Sequence, residues 1–120
     1  MSNIRPKTIF CDIDGTLVLH ENPSKSGRSD NVPVIIEGTV EKLLEWDSKG
    51  YNIILVTGRR ESSRESTEKQ LNSMGIIYDK LIMGIGGGVR VIINDKKPDG
   101  ELSCESININ RNQGIKDIDI

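Results

Sequence analysis

Aromatic residues make up only 3% of this 120-residue chain, which leaves few flat side chains on which nucleobases could stack. Cysteine is scarce as well: Cys11 and Cys104 lie far apart and make no metal-ligand spacing, so the pattern argues against a disulfide framework or a zinc site. Both read as small buried side chains in a reducing compartment. The single histidine, His20, sits in a polar stretch, and histidine-based acid-base or zinc chemistry has nothing to build on. No apolar run approaches the roughly 18 residues of a membrane span. Residues 1–7 lack the apolar core of a signal peptide, so a cytoplasmic protein without a membrane partner is expected. A net charge of -2 gives no excess of one sign that would point to a polyanionic partner.

The familiar phosphate-binding loops are missing too. There is no Walker-type Gly-Lys-Ser/Thr, and the glycine run at 84–88 fails the dinucleotide fingerprint because Val89 occupies the sixth position and an apolar run follows. No Arg closes a phosphate loop after Cys11, which sets a cysteine phosphatase aside.

What is present, 35% hydrophobic and 28% charged residues over 120 positions, suits one globular domain spanning 1–120. Thr8-Ile9-Phe10-Cys11 is an apolar run without alternation, as in a strand covered on both faces. Residues 17–36 are polar and turn-rich, as in a loop or small hairpin flap. A helix is predicted over 37–49 with Ile36, Val40, Leu43 and Leu44 on one face and Gly50 as its stop. A second buried strand follows over 51–56. Another helix is predicted over 62–74, with Ser62 and Glu65 at capping-box spacing, a thin apolar face of Leu71 and Met74, and Gly75 as its stop. Around the turn before it and along it, the interleaved Arg59, Arg60, Arg64 and Glu61, Glu65, Glu68 read as a solvated face, with a phosphate-facing role open for Arg59 alone. A short strand is expected within 76–83, a third continuous apolar strand over 89–93, and a last strand near 106–109 with a tail to 120. Strands alternating with helices predict an α/β domain with a mainly parallel sheet, whose carboxyl strand ends form a ligand-binding edge.

Asp12, Thr57 and Asp95 each follow one of the three apolar runs, so this topology brings them to that edge. Asp12-Ile13-Asp14-Gly15-Thr16 could be an ordinary turn. A carboxylate directly after a buried run, however, is costly unless a cation compensates it. Oxygen ligands of this kind attract Mg²⁺, which takes one or two carboxylates beside phosphate and water. An EF-hand is ruled out because the twelfth position counted from Asp12 is Pro23.

These residues resemble the haloacid dehalogenase-like superfamily of phosphatases. Its first motif is matched by Asp12-Ile13-Asp14-Gly15-Thr16, its second by Ile54-Leu55-Val56-Thr57-Gly58-Arg59, and its fourth by Ile92-Ile93-Asn94-Asp95. The resemblance covers about residues 7–98 and implies a Rossmann-like three-layer sandwich. It implies that Asp12 attacks phosphorus and that Asp14 protonates the leaving oxygen and then activates water. Mg²⁺ would be held by Asp12, the carbonyl of Asp14, and Asp95, with Asn94 beside it, while Thr57, Gly15, Thr16, Gly58 and Arg59 would orient the phosphoryl group. The third motif, a Lys in the superfamily, has no clean match here: Lys80, Arg90, Lys96 and Lys97 are candidates, with Arg90 nearest the expected place. The gaps at 17–36 and 60–80 are too short for a cap domain, so a capless enzyme is expected, with an open site or one closed by a second copy. Short capless members act on sugar phosphates or on polynucleotides. The scarcity of aromatics favours a small phosphorylated substrate, a sugar phosphate, over nucleic acid. A receiver-like phospho-acceptor domain is disfavoured because Thr57, not Asp, ends the middle strand, and the unmatched third motif leaves a catalytically weak binding or regulatory domain of the same superfamily as a further alternative.

Overall fold

The computed structural model describes residues 5–20 and 33–120. Three parallel strands, β1 (Thr8–Asp12), β2 (Asn52–Val56) and β3 (Lys80–Ile82), form a sheet in the order β1-β2-β3. The register pairs Asp12 with Val56 and Val56 with Ile82, so the carboxyl ends of all three strands finish at one level. Thr57 continues β2 across that edge, its N–H donating to the Ile82 carbonyl at 3.0 Å.

Helix α1 (Thr39–Ser48) buries Thr39, Leu43 and Trp46, spaced i, i+4 and i+7 on one stripe. The expected face is therefore right at Ile36 and Leu43 and turned at Leu44, which is 51% exposed; the bulk of Trp46 rotates the helix toward itself. The Thr39 hydroxyl donates to the Leu17 carbonyl at 2.9 Å, tying α1 to the turn that follows β1. Leu17 and Val18 are fully buried with Ile13, Leu43, Ile53, Leu55 and Leu71 in the core. Burial of each aliphatic side chain of this size is worth roughly 1.5–3 kcal/mol, and this anchors the turn from beneath.

A 3₁₀ turn (Glu61–Ser63) leads into helix α2 (Arg64–Ser73). The expected capping box does not form, because the 3₁₀ turn absorbs Ser62 and no side chain caps either element. Arg64 pairs with Glu61 and Glu68, and Lys69 with Glu65, as a solvated charged face requires. The buried side of α2 is Thr67, Gln70 and Leu71, only one of them apolar, and the two polar residues have a task described below.

Two expected strands are absent. Residues 89–93 form no strand and are largely exposed, Val89 at 94% and Ile93 at 91%. Instead of docking as a strand, the segment is tied back on the glycine run: Arg90 donates to the carbonyls of Gly86 and Gly88, both at 3.3 Å. Residues 106–109 are likewise irregular. The tail nevertheless packs, with Ile115 in the core and Ile109, Ile118 and Ile120 against it.

The base of the expected flap is a hairpin, with Leu19 N–H donating to Val34 O at 2.8 Å and Ile36 N–H to Leu17 O at 3.0 Å. Its remainder, 21–32, lies outside the described residues. The second gap, 60–80, holds the 3₁₀ turn and α2 and ends where β3 begins at Lys80.

Candidate active site

Asp12 closes β1, and the chain turns sharply after it. The Ile13 carbonyl accepts the N–H groups of Thr16, Leu17 and Val18 at 3.2, 2.9 and 3.2 Å, and Gly15 N–H donates to Val18 O at 2.7 Å. Gly15 holds φ +88°, a left-handed conformation that a side chain opposes. The turn brings the Thr16 hydroxyl to the Asp12 carboxylate, Oγ1 to Oδ2 at 3.4 Å.

The Asp12 carboxyl titrates above its ordinary value, first because it is partly desolvated; Asp14 adds to this, whereas Arg90, the Ile13 backbone N–H and Thr16 oppose it. The folded protein therefore holds more protons than the unfolded chain between the ordinary and the raised value, and stability falls as pH rises through that window. Asp12→Asn is accordingly expected to raise the thermal midpoint of the metal-free protein at neutral pH. The gain should vanish below the ordinary carboxylate range, and thermal melts of both proteins at the two pH values check this. Beside it, burial and the Asp12 charge push the Cys11 thiol up to about 12, leaving it protonated and unreactive at neutral pH.

Asp14 is held by Arg59 in a two-pronged pair: Nε donates to Oδ2 at 3.0 Å and Nη2 to Oδ1 at 2.8 Å. The remaining nitrogen, Nη1, donates to Gln70 Oε1 at 2.7 Å and Thr67 Oγ1 at 3.3 Å. With its side chain 4% exposed, Arg59 joins the turn after β1 to the buried face of α2. This gives Arg59 a second role beside the expected one, because its guanidinium is committed to Asp14, Gln70 and Thr67. Thr67 and Gln70 were not singled out from sequence. The thin apolar face of α2 was their trace, since that face is polar where it grips Arg59.

Thr57 is buried, and its hydroxyl accepts the Arg59 backbone N–H at 3.1 Å. Gly58 lies under the glycine run: a Cβ there would stand 2.7 Å from Gly86 O. Gly84 N–H donates to Arg59 O at 2.7 Å and Ile85 N–H to Thr57 O at 3.4 Å. Gly58→Ala should therefore displace the run that carries Arg90. The expected cost is about 1–3 kcal/mol together with reduced turnover, read from melts and kinetics on the same sample.

Of the candidate cations, Arg90 acts on the Asp12 charge. Lys80 is exposed and pairs in register with Ile54, two positions short of the edge. Lys97 pairs with Glu101 at 3.7 Å on an exposed turn, and Lys96 is exposed. Asn94 and Asp95 are exposed on irregular backbone. Among the described residues no three acidic, His or Cys side chains gather as a metal site, so the expected convergence of Asp95 on Asp12 and Asp14 is not seen. The cause is the position of 89–93, which does not form the strand that would carry Asp95 to the edge.

A carboxylate at the end of a parallel strand, with a second one two residues on and a Thr-Gly turn ending the neighbouring strand, is the arrangement of a haloacid dehalogenase-like phosphatase. Residues 6–99 match the family described as "Polynucleotide kinase PNKP phosphatase domain", and the chain belongs to it. Two solved structures of a Pnkp1/Rnl/Hen1 complex, one described as an RNA repair complex, are similar. The first has 34% identity over 65% of this chain and 25% of the other, with a TM-score of 0.57; the second has 30% identity over 75% and 32%, with a TM-score of 0.58. The chain thus spans about a quarter to a third of those proteins. A structure from Vibrio cholerae shares the fold at 20% identity, over 74% of this chain and 79% of that one, with a TM-score of 0.52. A comparison with curated proteins gave no match.

Proposed function

We propose that this phosphatase removes a terminal phosphate from a nucleic-acid strand by way of an aspartyl-phosphate on Asp12. The observation that carries the reading is the pairing of roles at the end of β1. Asp12 is partly desolvated with Arg90 acting on its charge, and Asp14, two residues later, is fixed by Arg59. The Asp12 carboxylate attacks phosphorus while Asp14, which must first give up one of its Arg59 bonds and take up a proton on that oxygen, delivers the proton to the departing ester oxygen; Asp14 then takes a proton from the water that attacks the acyl phosphate and restores Asp12. Thr16 orients the nucleophile and Arg90 offsets its charge.

The residues also suit Mg²⁺. Asp12 has a desolvated carboxylate in want of a cation, and the Asp14 carbonyl accepts no hydrogen bond from any described residue. One carboxylate and one carbonyl, completed by phosphate and water, match what this ion accepts. When bound, it would reduce the repulsion between the nucleophile and the anionic ester.

The polynucleotide substrate rests on membership of the phosphatase-domain family and on the similarity to the RNA repair complexes. A sugar phosphate is the second reading. It is favoured by the aromatics, none of which extends β1 or β2 across the carboxyl edge: Trp46 is buried, Tyr51 lies beside Lys7 and Lys49, Tyr78 precedes β3, and Phe10 stands two positions below Asp12. A strand end would accordingly be gripped through its phosphates and not its bases. The test is phosphate release from 3′- and 5′-phosphorylated oligonucleotides and from sugar phosphates, with Mg²⁺ and with chelator. Chelator-sensitive release from oligonucleotides supports the first reading. Release from sugar phosphates alone overturns it in favour of the second, and no release from either removes both.

A further inference from the structure

The tail beyond residue 99 lies outside the family match, yet it reaches the turn that carries the catalytic carboxylates. Asn112 N–H donates to the Gly15 carbonyl at 2.8 Å, and Asn112 Oδ1 accepts His20 N–H at 2.7 Å. Gln113 N–H closes the tail's own turn onto Asn110 O at 3.1 Å. To make these contacts Asn112 adopts φ 68° and is the only described non-glycine residue at positive φ. Asparagine tolerates that conformation better than most residues, though at a cost. Two further contacts fix the same segment. A Cβ at Gly114 would meet Ile36 Cγ2 at 2.6 Å, and Ile115 is in the core.

The residue presented by this turn is Arg111. Its stem lies on Gly15, with Cγ 3.2 Å and Cδ 3.9 Å from where a Gly15 Cβ would stand. The residue is exposed, and its guanidinium pairs with no described residue. Gly15 directly follows Asp14, the group assigned to protonate the leaving oxygen. Arg111 therefore stands beside the turn that carries this group. Arg90 already acts on Asp12, and Arg111 is not among the charges that do, so a second cation beside this turn is left for another part of the substrate.

We infer that Arg111 is a specificity residue that binds a second phosphate on the leaving group. That phosphate is the adjoining phosphodiester of a nucleic-acid end, or the second phosphomonoester of a small bisphosphate. A guanidinium fork suits such an oxyanion through paired charge-assisted hydrogen bonds. The inference rests on the phosphatase reading above, because it takes the turn from Asp12 to Gly15 to be where the substrate is bound.

The test compares the full chain with Arg111→Gln, which keeps the stem on Gly15, and Arg111→Lys, which keeps the charge. Three substrates are used: a 3′-phosphorylated dinucleotide, a sugar bisphosphate, and p-nitrophenyl phosphate, whose leaving group carries no second phosphate. The readout is the preference, the ratio of kcat/KM for each two-phosphate substrate to that for p-nitrophenyl phosphate. Arg111→Gln should lower the preference about tenfold, mainly through KM, and Arg111→Lys should restore part of it. Loss with the dinucleotide alone, or with the bisphosphate alone, identifies which source of the second phosphate is read. Calorimetric binding of a nucleoside 3′,5′-bisphosphate to Asp12→Asn protein, with Arg or Gln at position 111, needs no turnover. It separates failure of this inference from failure of the catalytic reading. An unchanged preference together with unchanged affinity would overturn the inference, as would equal losses on all three substrates.

Discussion

Asp12→Asn is expected to lower phosphate release by about a thousandfold or more, since removing a covalent nucleophile commonly costs at least that much. The substitution is close to isosteric, and the amide oxygen can still accept from Thr16, so the turn from Ile13 to Val18 should stand. What is lost is the charge and the nucleophilic lone pair. The same variant should also be the more stable at neutral pH, because the folded site holds a carboxylate that burial disfavours. An inactive variant with a raised melting midpoint has lost chemistry and not structure. Inactivity with a lowered midpoint would instead say that the carboxylate is a structural element of the turn.

Arg59→Ala should be the next most damaging change, in both stability and turnover. It strips Asp14 of two charge-assisted bonds and leaves Gln70 and Thr67 turned toward an empty place. Removing one partner of a buried ion pair costs about 3–5 kcal/mol. The lower end applies here, because the Asp14 side chain is 20% exposed and can find water. Turnover should fall about a hundredfold, the effect of a displaced catalytic group. Arg59→Lys can supply a point charge to Asp14 but cannot also reach Gln70 and Thr67 in a fork, so it should recover only part of the loss. The diagnostic is the leaving group. If Arg59 acts by aiming Asp14, its loss should harm alkyl phosphates, which need protonation, more than p-nitrophenyl phosphate. Equal losses, seen mainly in KM, would restore Arg59 to the phosphate-binding role read from the sequence.

The first two strand ends were legible because the chain marks them twice. An unbroken apolar run marks each strand and a polar residue, Asp12 or Thr57, marks its end; the burial on both faces that the run implies holds for β2 and not for β1, where Phe10 is 55% exposed. The third was misread for a physical reason. The run at 89–93 has strand composition, but composition does not say which edge it will join, and the glycines at 86–88 let Arg90 fold the segment back on their carbonyls. The three-residue strand Lys80–Ile82 takes the third place in the sheet, and Asp95 is left on exposed backbone. Arg59 was legible as a site residue, but its partners were not. An arginine after a Thr-Gly turn can face either phosphate or a carboxylate, and two of its partners, Thr67 and Gln70, lie on a helix whose thin apolar face does not by itself name them. Arg111 left no local signal at all. Its position depends on Asn112 reaching back 97 residues to Gly15, a contact that no periodicity encodes.

The claim beneath the rest is that phosphate passes through the Asp12 side chain. The direct measurement mixes enzyme, Mg²⁺ and a phosphorylated oligonucleotide, quenches in acid within a single turnover, and maps peptides by mass spectrometry. The account predicts one added phosphoryl group on the peptide containing Asp12, present in the Arg59→Ala protein and absent from Asp12→Asn. Full turnover with no such adduct at any quench time, or an adduct on a different residue, would contradict it.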